Sequence, residues 1–136
     1  MRMVQQEFKH LKPDEKEIAK RFVAAGYLVG DYEYDVKLES PDVIFPAHWT
    51  KKDLEHWSGL RAKRIDIVVH AEAAVWILEV TPKLSKAAIG GCVTYRELYE
   101  RQFKPTFPVH IGIVVEVDDR AYHDTLRKFG IRLWVV

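Results

Sequence analysis

The sequence predicts a single α/β domain with a mixed central sheet and helices on both of its faces. Residues 63–70 and 74–81 are nearly continuous apolar runs separated by a short polar step, which indicates a hairpin of two strands buried on both faces. The predicted elements follow the order α-β-β-β-α-β-α-β, which favours a layered α/β architecture. A chain of 136 residues suits one domain that spans 1–136.

The N-terminal elements are indicated by their ends. A helix begins at Pro13 and ends at Gly26, because proline favours a first turn, glycine favours a left-handed cap, and apolar residues recur at helical spacing between them. Residues 27–39 contain many β-formers in partial alternation and predict one strand with a bend at Gly30. The helix and the strand together form the predicted start of the domain.

Residues 40–62 differ in composition from the rest of the chain. They contain two prolines, two tryptophans and several charges, and they predict a long, variable insertion with one short helix near 50–57. The Pro41-Asp42 pair in it predicts a turn. Long loops in compact domains are often functional, but this segment carries no motif that assigns a role.

The C-terminal half supplies a helix, a strand, a helix and a strand. Ser85 caps a helix over 86–103, residues 108–117 form another buried strand, and residues 131–136 form the last one. A short helix fills the interval between the last two strands and ends at Gly130. These elements complete a sheet with helices on its faces.

Composition excludes several classes of protein and favours none. The net charge is +1, so a nucleic-acid surface would have to come from local clusters of basic residues. The single cysteine, Cys92, cannot form an internal disulfide and predicts a reducing compartment. The polar N-terminal segment predicts no signal peptide, and no apolar run approaches the ~20 residues of a membrane span. We therefore expect a cytoplasmic protein that does not contact membranes.

Two acidic residues, Asp66 and Glu79, stand inside the apolar strands of the predicted hairpin. A buried charge costs several kcal/mol unless it is paired or binds a metal. Neighbouring strands can bring both carboxylates to one place, and such a pair suits Mg²⁺ or Mn²⁺. The alternative is that each acid pairs with a nearby basic side chain or reaches water at a strand end.

The pattern around these acids resembles the PD-(D/E)XK nuclease superfamily. Asp66 is followed after thirteen positions by Glu79 late in the second hairpin strand, and then by a helix with a tyrosine, Tyr95. Residues 15–29 resemble the opening helix and strand of small nucleases of this group, including Holliday-junction resolvases, and 89–103 resembles helices with a Q-x-x-x-Y motif. The C-terminal strand, helix and strand are also similar to the usual C-terminal elements of this restriction-endonuclease-like fold.

The resemblance implies roles for several side chains. Asp66 and Glu79 would hold the metal, Glu15 on the first helix would add a third or outer carboxylate, and Tyr95 would support the site. The superfamily has a lysine two residues after the second acid, where this chain has Thr81. The glutamine that precedes the family's tyrosine by four positions is also missing, because Gly91 stands there.

Two lysines could take the role of the superfamily lysine that is absent at position 81. Lys83 has the same strand parity as Thr81 and would assist the attacking water, provided that the chain stays extended past Pro82. Lys86 at the start of the next helix is the second candidate. The alternative for Lys83 is a solvated surface lysine.

Basic residues surround the entry to the Asp66 strand. Such a cluster suits phosphate contacts, which position nucleic acid without reading its sequence. The alternative is an ordinary solvated face neutralised by Asp53 and Glu55. With Lys86, the candidate nucleic-acid contacts are Lys51, Lys52, Arg61, Lys63 and Arg64.

Two functions follow from the resemblance. The first is a divalent-metal-dependent endo- or exonuclease that acts on DNA. The second is a nuclease-fold protein without activity that binds DNA or a protein partner, such as a phage accessory or assembly protein, because the resemblance extends to small phage-encoded members. A phage-encoded chain would act in the host cytoplasm, and nucleases of this size often form homodimers.

Overall fold

Five strands form one mixed sheet in the order β1-β2-β3-β4-β5. The computed structural model describes residues 10–39, 43–60 and 63–136. β2 pairs antiparallel with both β1 and β3, whereas β4 runs parallel to β3 and β5 runs parallel to β4. The strands are β1 Asp31–Leu38, β2 Lys63–His70, β3 Val75–Lys83, β4 Val109–Val117 and β5 Ile131–Val135.

Four α-helices accompany the sheet in the described residues. A single 3-10 turn, Arg120–Tyr122, leads into the last of them. The helices are α1 Pro13–Ala25, α2 Lys51–Leu60, α3 Lys86–Phe103 and α4 His123–Lys128. The chain is thus an α/β domain with a five-stranded mixed sheet, and the predicted fold class is confirmed at this level.

The ends of α1 and α3 follow the local signals in the sequence. Pro13 opens α1, and Gly26 ends it with a left-handed φ of 69°. Ser85 caps α3 by accepting a hydrogen bond from the backbone N–H of Ala88 at 3.2 Å. Lys104, in the left-handed region at φ 45°, ends α3. Local capping therefore determines where both helices begin and end.

The helices cover the two faces of the sheet. Phe22 and Ile18 of α1 pack with Leu78 and Val80 in one buried cluster. Cys92 of α3 belongs to a second buried cluster, on the opposite face, together with Ile77 and Ile113 of the sheet. β3 lies between the two clusters, so alternate side chains of this strand enter each one.

Two strand boundaries differ from the prediction. β1 begins at Asp31 and not at residue 27, because Asp31 pairs with His70, which is the last residue of β2, and the ladder ends there. β3 continues through Pro82 to Lys83, because its parallel pairing with β4 continues to Val117. The predicted bend at Gly30 thus lies immediately before β1.

The insertion over 40–62 contains a longer helix than predicted. α2 covers Lys51–Leu60, and its first turn is capped by Thr50 and Asp53, whose side chains each accept the other's backbone N–H. The predicted turn at Pro41-Asp42 lies outside the described residues. No helix in the described ranges is long and apolar enough to cross a bilayer.

Candidate functional site

Asp66 and Glu79 face each other where β2 and β3 separate. The antiparallel ladder between these strands runs from His70 opposite Val75 to Ile67 opposite Leu78, and the two acids occupy the next position on each strand. The Asp66 Oδ2 atom accepts a hydrogen bond from the backbone N–H of Val80 at 2.8 Å. The backbone N–H of Val80 is therefore bound by a side chain and not by a backbone carbonyl of β2. The two strands separate at the acidic pair.

An open cavity of about 330 Å³ lies at this opening. Side chains of α1, β2, β3 and α3 line it, so both helical layers and the middle of the sheet contribute. Its walls are His10, Leu11, Glu15, Arg64, Asp66, Glu79, Val80, Thr81, Ser85, Ala87, Ala88 and Tyr95. The fold thus brings Glu15, Thr81 and Tyr95 to the same cavity as the two strand acids.

The electrostatics of the cavity favour the neutral forms of Asp66 and Glu79. Burial raises the pKa of Asp66 to about 7, an effect increased by the charges of Glu15 and Asp35 and opposed by the hydrogen bond from Val80. Burial, followed by the charges of Asp66 and Glu15, raises the pKa of Glu79 well above its ordinary value. Both effects arise because the carboxylates lie close together with little water.

Glu79 has one carboxylate oxygen without a hydrogen-bond partner among the described residues. Its Oε1 atom is buried and, within the described residues, accepts no hydrogen bond. Its Oε2 atom lies beside α3, where a Cβ built on Gly91 would be 3.5 Å away. A buried carboxylate oxygen without a hydrogen-bond donor destabilises the folded state, unless the oxygen is protonated or binds a cation.

Tyr95 stands on α3 above the acidic pair. Burial raises the pKa of its phenol, and the charges of Glu79 and Asp66 raise it further. The hydroxyl therefore keeps its proton at neutral pH and can act as a hydrogen-bond donor in the cavity. Tyr95 thus lines the cavity beside the two acids, and its supporting role stays a prediction.

Glu15 is held in place by the start of α1. Its Oε1 atom accepts a hydrogen bond from the backbone N–H of Lys12 at 2.9 Å, which fixes the carboxylate in the first turn of the helix. The side chain is half-buried and reaches the cavity. Glu15 is thus partly engaged in capping, and it faces Asp66 and Glu79 as a third negative charge.

Asp35 is an acidic neighbour that the sequence analysis missed. Tyr34 lies opposite Ile67 and Val36 lies opposite Ile65, so Asp35 lies opposite Asp66. Its φ of 53° is in the left-handed region, which is uncommon for a residue inside a strand. The charge of Asp35 raises the pKa of Asp66. Three adjacent strands therefore carry an acid at matching register, which only the strand pairing reveals.

The remaining predicted residues lie in different places. Arg64 lines the cavity, whereas Lys83 and Lys86 are exposed and do not line it. Lys51 and Lys52 are exposed in the first turn of α2, and Lys63 begins β2. Arg61 lies outside the described residues. The cavity also contains His10 and Ser85, to which the sequence analysis gave no role in the site.

The acidic pair can hold a cation only with help from water or main-chain oxygens. Across the described ranges, no three His, Cys, Asp or Glu side chains form a group able to hold a metal ion. Mg²⁺ keeps several waters and often binds through one or two carboxylates, so Asp66 and Glu79 have the donor chemistry that it requires. Their burial and the orphaned Glu79 oxygen fit a bound cation.

Comparison of the chain with family models, with curated proteins and with solved structures found no significant match.

Proposed function

We propose that this chain is a divalent-metal-dependent DNA phosphodiesterase with a restriction-endonuclease-like fold. The observation that carries the proposal is the pair of buried carboxylates, Asp66 and Glu79, which oppose each other in an open cavity with one oxygen unsatisfied. The order of the elements and the mixed sheet support the same assignment, because they agree with the pattern expected from the resemblance.

Within this proposal the cavity binds Mg²⁺ or Mn²⁺ through Asp66 and Glu79, with Glu15 as an outer carboxylate. A bound divalent cation lowers the pKa of a coordinated water and stabilises charge on a phosphate. Tyr95 donates a hydrogen bond toward the carboxylates or their waters. The assignment of Lys83 as the group that assists the water stays a prediction, because its side chain is exposed and outside the cavity lining.

A specific observation favours the second candidate, a nuclease-fold protein that binds DNA or a protein without cutting. Thr81 lines the cavity at the position where the superfamily has its lysine, and Lys83 and Lys86 do not reach the lining. A threonine hydroxyl cannot supply the charge or the reach of an ammonium group. The retained acidic pair favours catalysis, so we place the enzyme first.

The test is cleavage of single-stranded, duplex and branched DNA in the presence of Mn²⁺. Asp66→Asn should abolish cleavage, because the amide removes one negative ligand while keeping the size of the side chain. Asp124→Asn, the same change at an exposed position on α4, is the matched control and should cut like the wild type. Cleavage by Asp66→Asn at the wild-type rate would contradict the proposal.

Two further variants separate the candidates. If Lys83 assists the water, Lys83→Ala should slow cleavage by roughly 10²–10⁴, as for loss of a general acid or base. Wild-type rates in Lys83→Ala would exclude Lys83 and make Lys86 the next candidate. A wild type that cuts none of the substrates would favour the binding protein, and Thr81→Lys should then restore weak cleavage by placing an ammonium group in the cavity.

A further inference from the structure

Arg64 is a cationic side chain in the wall of the acidic cavity. It lies on β2 two residues before Asp66, and both residues line the same cavity. Its side chain is half-buried and lines the cavity together with Glu79 and Thr81. The cavity therefore presents three carboxylates, those of Glu15, Asp66 and Glu79, and one guanidinium to the same volume.

This guanidinium does not neutralise the carboxylates. Within the described part of the chain, the side chain of Arg64 makes no hydrogen bond and no ion pair. The charges that act on the pKa of Asp66 are those of Glu15 and Asp35, and both of them raise it. Among the described residues, the acidic pair thus has no counter-cation and the Arg64 side chain has no counter-anion, although both line the same cavity.

A phosphodiester bound beside a divalent cation would satisfy both requirements. The cation would compensate the carboxylates, and the phosphate would compensate the guanidinium. Arginine is suited to the second task, because its planar fork of donors matches phosphate oxygens and its charge persists at any physiological pH. For the same reason it cannot act as a base, so its part would be to hold the phosphate and stabilise its charge.

We infer that Arg64 is the phosphate-binding residue of this site and contacts a non-bridging oxygen of the DNA phosphodiester. The inference rests on the proposed function and adds to it the residue that binds the anion. It separates two tasks that a single lysine at position 81 would combine: Arg64 holds the phosphate, and activation of the water is left to other groups.

The experiment compares two ligands that differ at one non-bridging position of the phosphorus, which carries a charged oxygen in one and an uncharged methyl group in the other. A thymidine dinucleotide with a natural phosphodiester and its uncharged methylphosphonate analogue are titrated in Mg²⁺ by nuclear magnetic resonance. The wild type should prefer the charged dinucleotide, and Arg64→Met should weaken its binding by about 10- to 100-fold, the size of one hydrogen-bonded contact to a charged group. The methylphosphonate should bind both proteins alike.

Two companion variants test the geometry and the specificity. Arg64→Lys should lose part of the affinity, because it keeps the charge and loses the fork. Arg127→Met, the same change as Arg64→Met at an exposed arginine of α4 that does not line the cavity, should bind like the wild type.

Binding of Mg²⁺ alone distinguishes this role from a structural one. Removing a positive charge beside two carboxylates favours a cation, so Arg64→Met should bind Mg²⁺ as tightly as the wild type or more tightly while it loses the dinucleotide. A variant that loses both ligands, or an unchanged affinity for the charged dinucleotide, would overturn the inference. A wild type that ignores Mg²⁺ but needs Arg64 for the dinucleotide would support Arg64 and overturn the metal site.

Discussion

The carboxyl groups of Asp66 and Glu79 lie in surroundings that favour their neutral forms. Burial is the largest cause for each, and the neighbouring negative charges increase it. The backbone N–H of Val80 compensates Asp66 in part, whereas the Oε1 atom of Glu79 has no donor in the described residues. The ionised forms of these two carboxyl groups are therefore less favourable in the folded protein than in water. Raised pKa values of this kind are common among the acidic residues of functional sites.

This condition predicts a pH dependence for the metal-free protein. The folded state holds protons on Asp66 more tightly than the unfolded chain does, because its folded pKa of about 7 exceeds the ordinary 3.8. The stability from this group is therefore full below the ordinary pKa and declines as the pH rises through about 7. Melting temperatures measured in a chelator should fall over this range, and Mg²⁺ should reverse the fall at the alkaline end.

Asp66→Asn is the variant that checks this assignment. It should flatten the pH dependence, abolish the stabilisation by Mg²⁺, and raise the metal-free melting temperature at neutral pH by a few degrees through loss of like-charge repulsion. The amide oxygen can still accept the hydrogen bond from Val80. Asp124→Asn is the control. Equal slopes in the wild type and Asp66→Asn would assign the pH dependence to other groups.

At the scale of elements, α3 forms one wall of the cavity and approaches Glu79 at Gly91. Gly90 and Gly91 are adjacent on this helix, but their surroundings differ. A Cβ on Gly90 would meet nothing within 4 Å, whereas a Cβ on Gly91 would lie 3.5 Å from the Glu79 Oε2 atom. That distance is an ordinary van der Waals contact, so a methyl group fits there and covers one side of the carboxylate.

The two glycines provide a matched pair of variants. Gly90→Ala and Gly91→Ala should each stabilise the metal-free protein by about 1 kcal/mol, because alanine has the higher helix propensity. Gly91→Ala should weaken Mg²⁺ binding several-fold, since its methyl group displaces water beside the carboxylate, and Gly90→Ala should not change it. Calorimetric titration of Mg²⁺ into both variants checks this, and equal affinities would separate Gly91 from the metal site.

At the scale of the whole molecule, the net charge of +1 provides no general attraction for DNA. Basic side chains are instead found on several elements: Lys51 and Lys52 in the first turn of α2, Lys63 and Arg64 at the start of β2, and Lys86 at the start of α3. Their common use as a DNA surface stays a prediction. If these residues contact phosphates, the affinity for DNA should fall as the salt concentration rises, because each phosphate contact releases counterions.

Replacing Lys51 and Lys52 together by glutamine tests this surface. If both contact phosphates, the slope of log affinity against log salt should become less steep by up to about 1.8, at about 0.9 for each contact on B-DNA. Charge removal at the exposed Arg127 and Lys128 of α4 is the control and should leave the slope unchanged. Identical slopes in all three proteins would place any DNA surface elsewhere.

Much of this architecture can be predicted from the sequence because its signals are local. Pro13, Gly26 and Ser85 mark helix ends through contacts within one turn, and apolar periodicity indicates the strands. The acids Asp66 and Glu79 stand out because a charge inside an apolar strand is costly wherever the strand lies. The α/β class, the order of the elements and the acidic pair were therefore predictable without coordinates.

Which other residues belong to the site depends on the tertiary structure. Asp35 lies beside Asp66 only through the register of β1 on β2, and Arg64 enters the cavity only because β2 and β3 separate there. Lys83 has the right strand parity but lies outside the cavity lining, at the far end of β3 opposite Val117. Register and the separation of strands come from pairing between distant segments, and such contacts leave no periodic signal in the sequence itself.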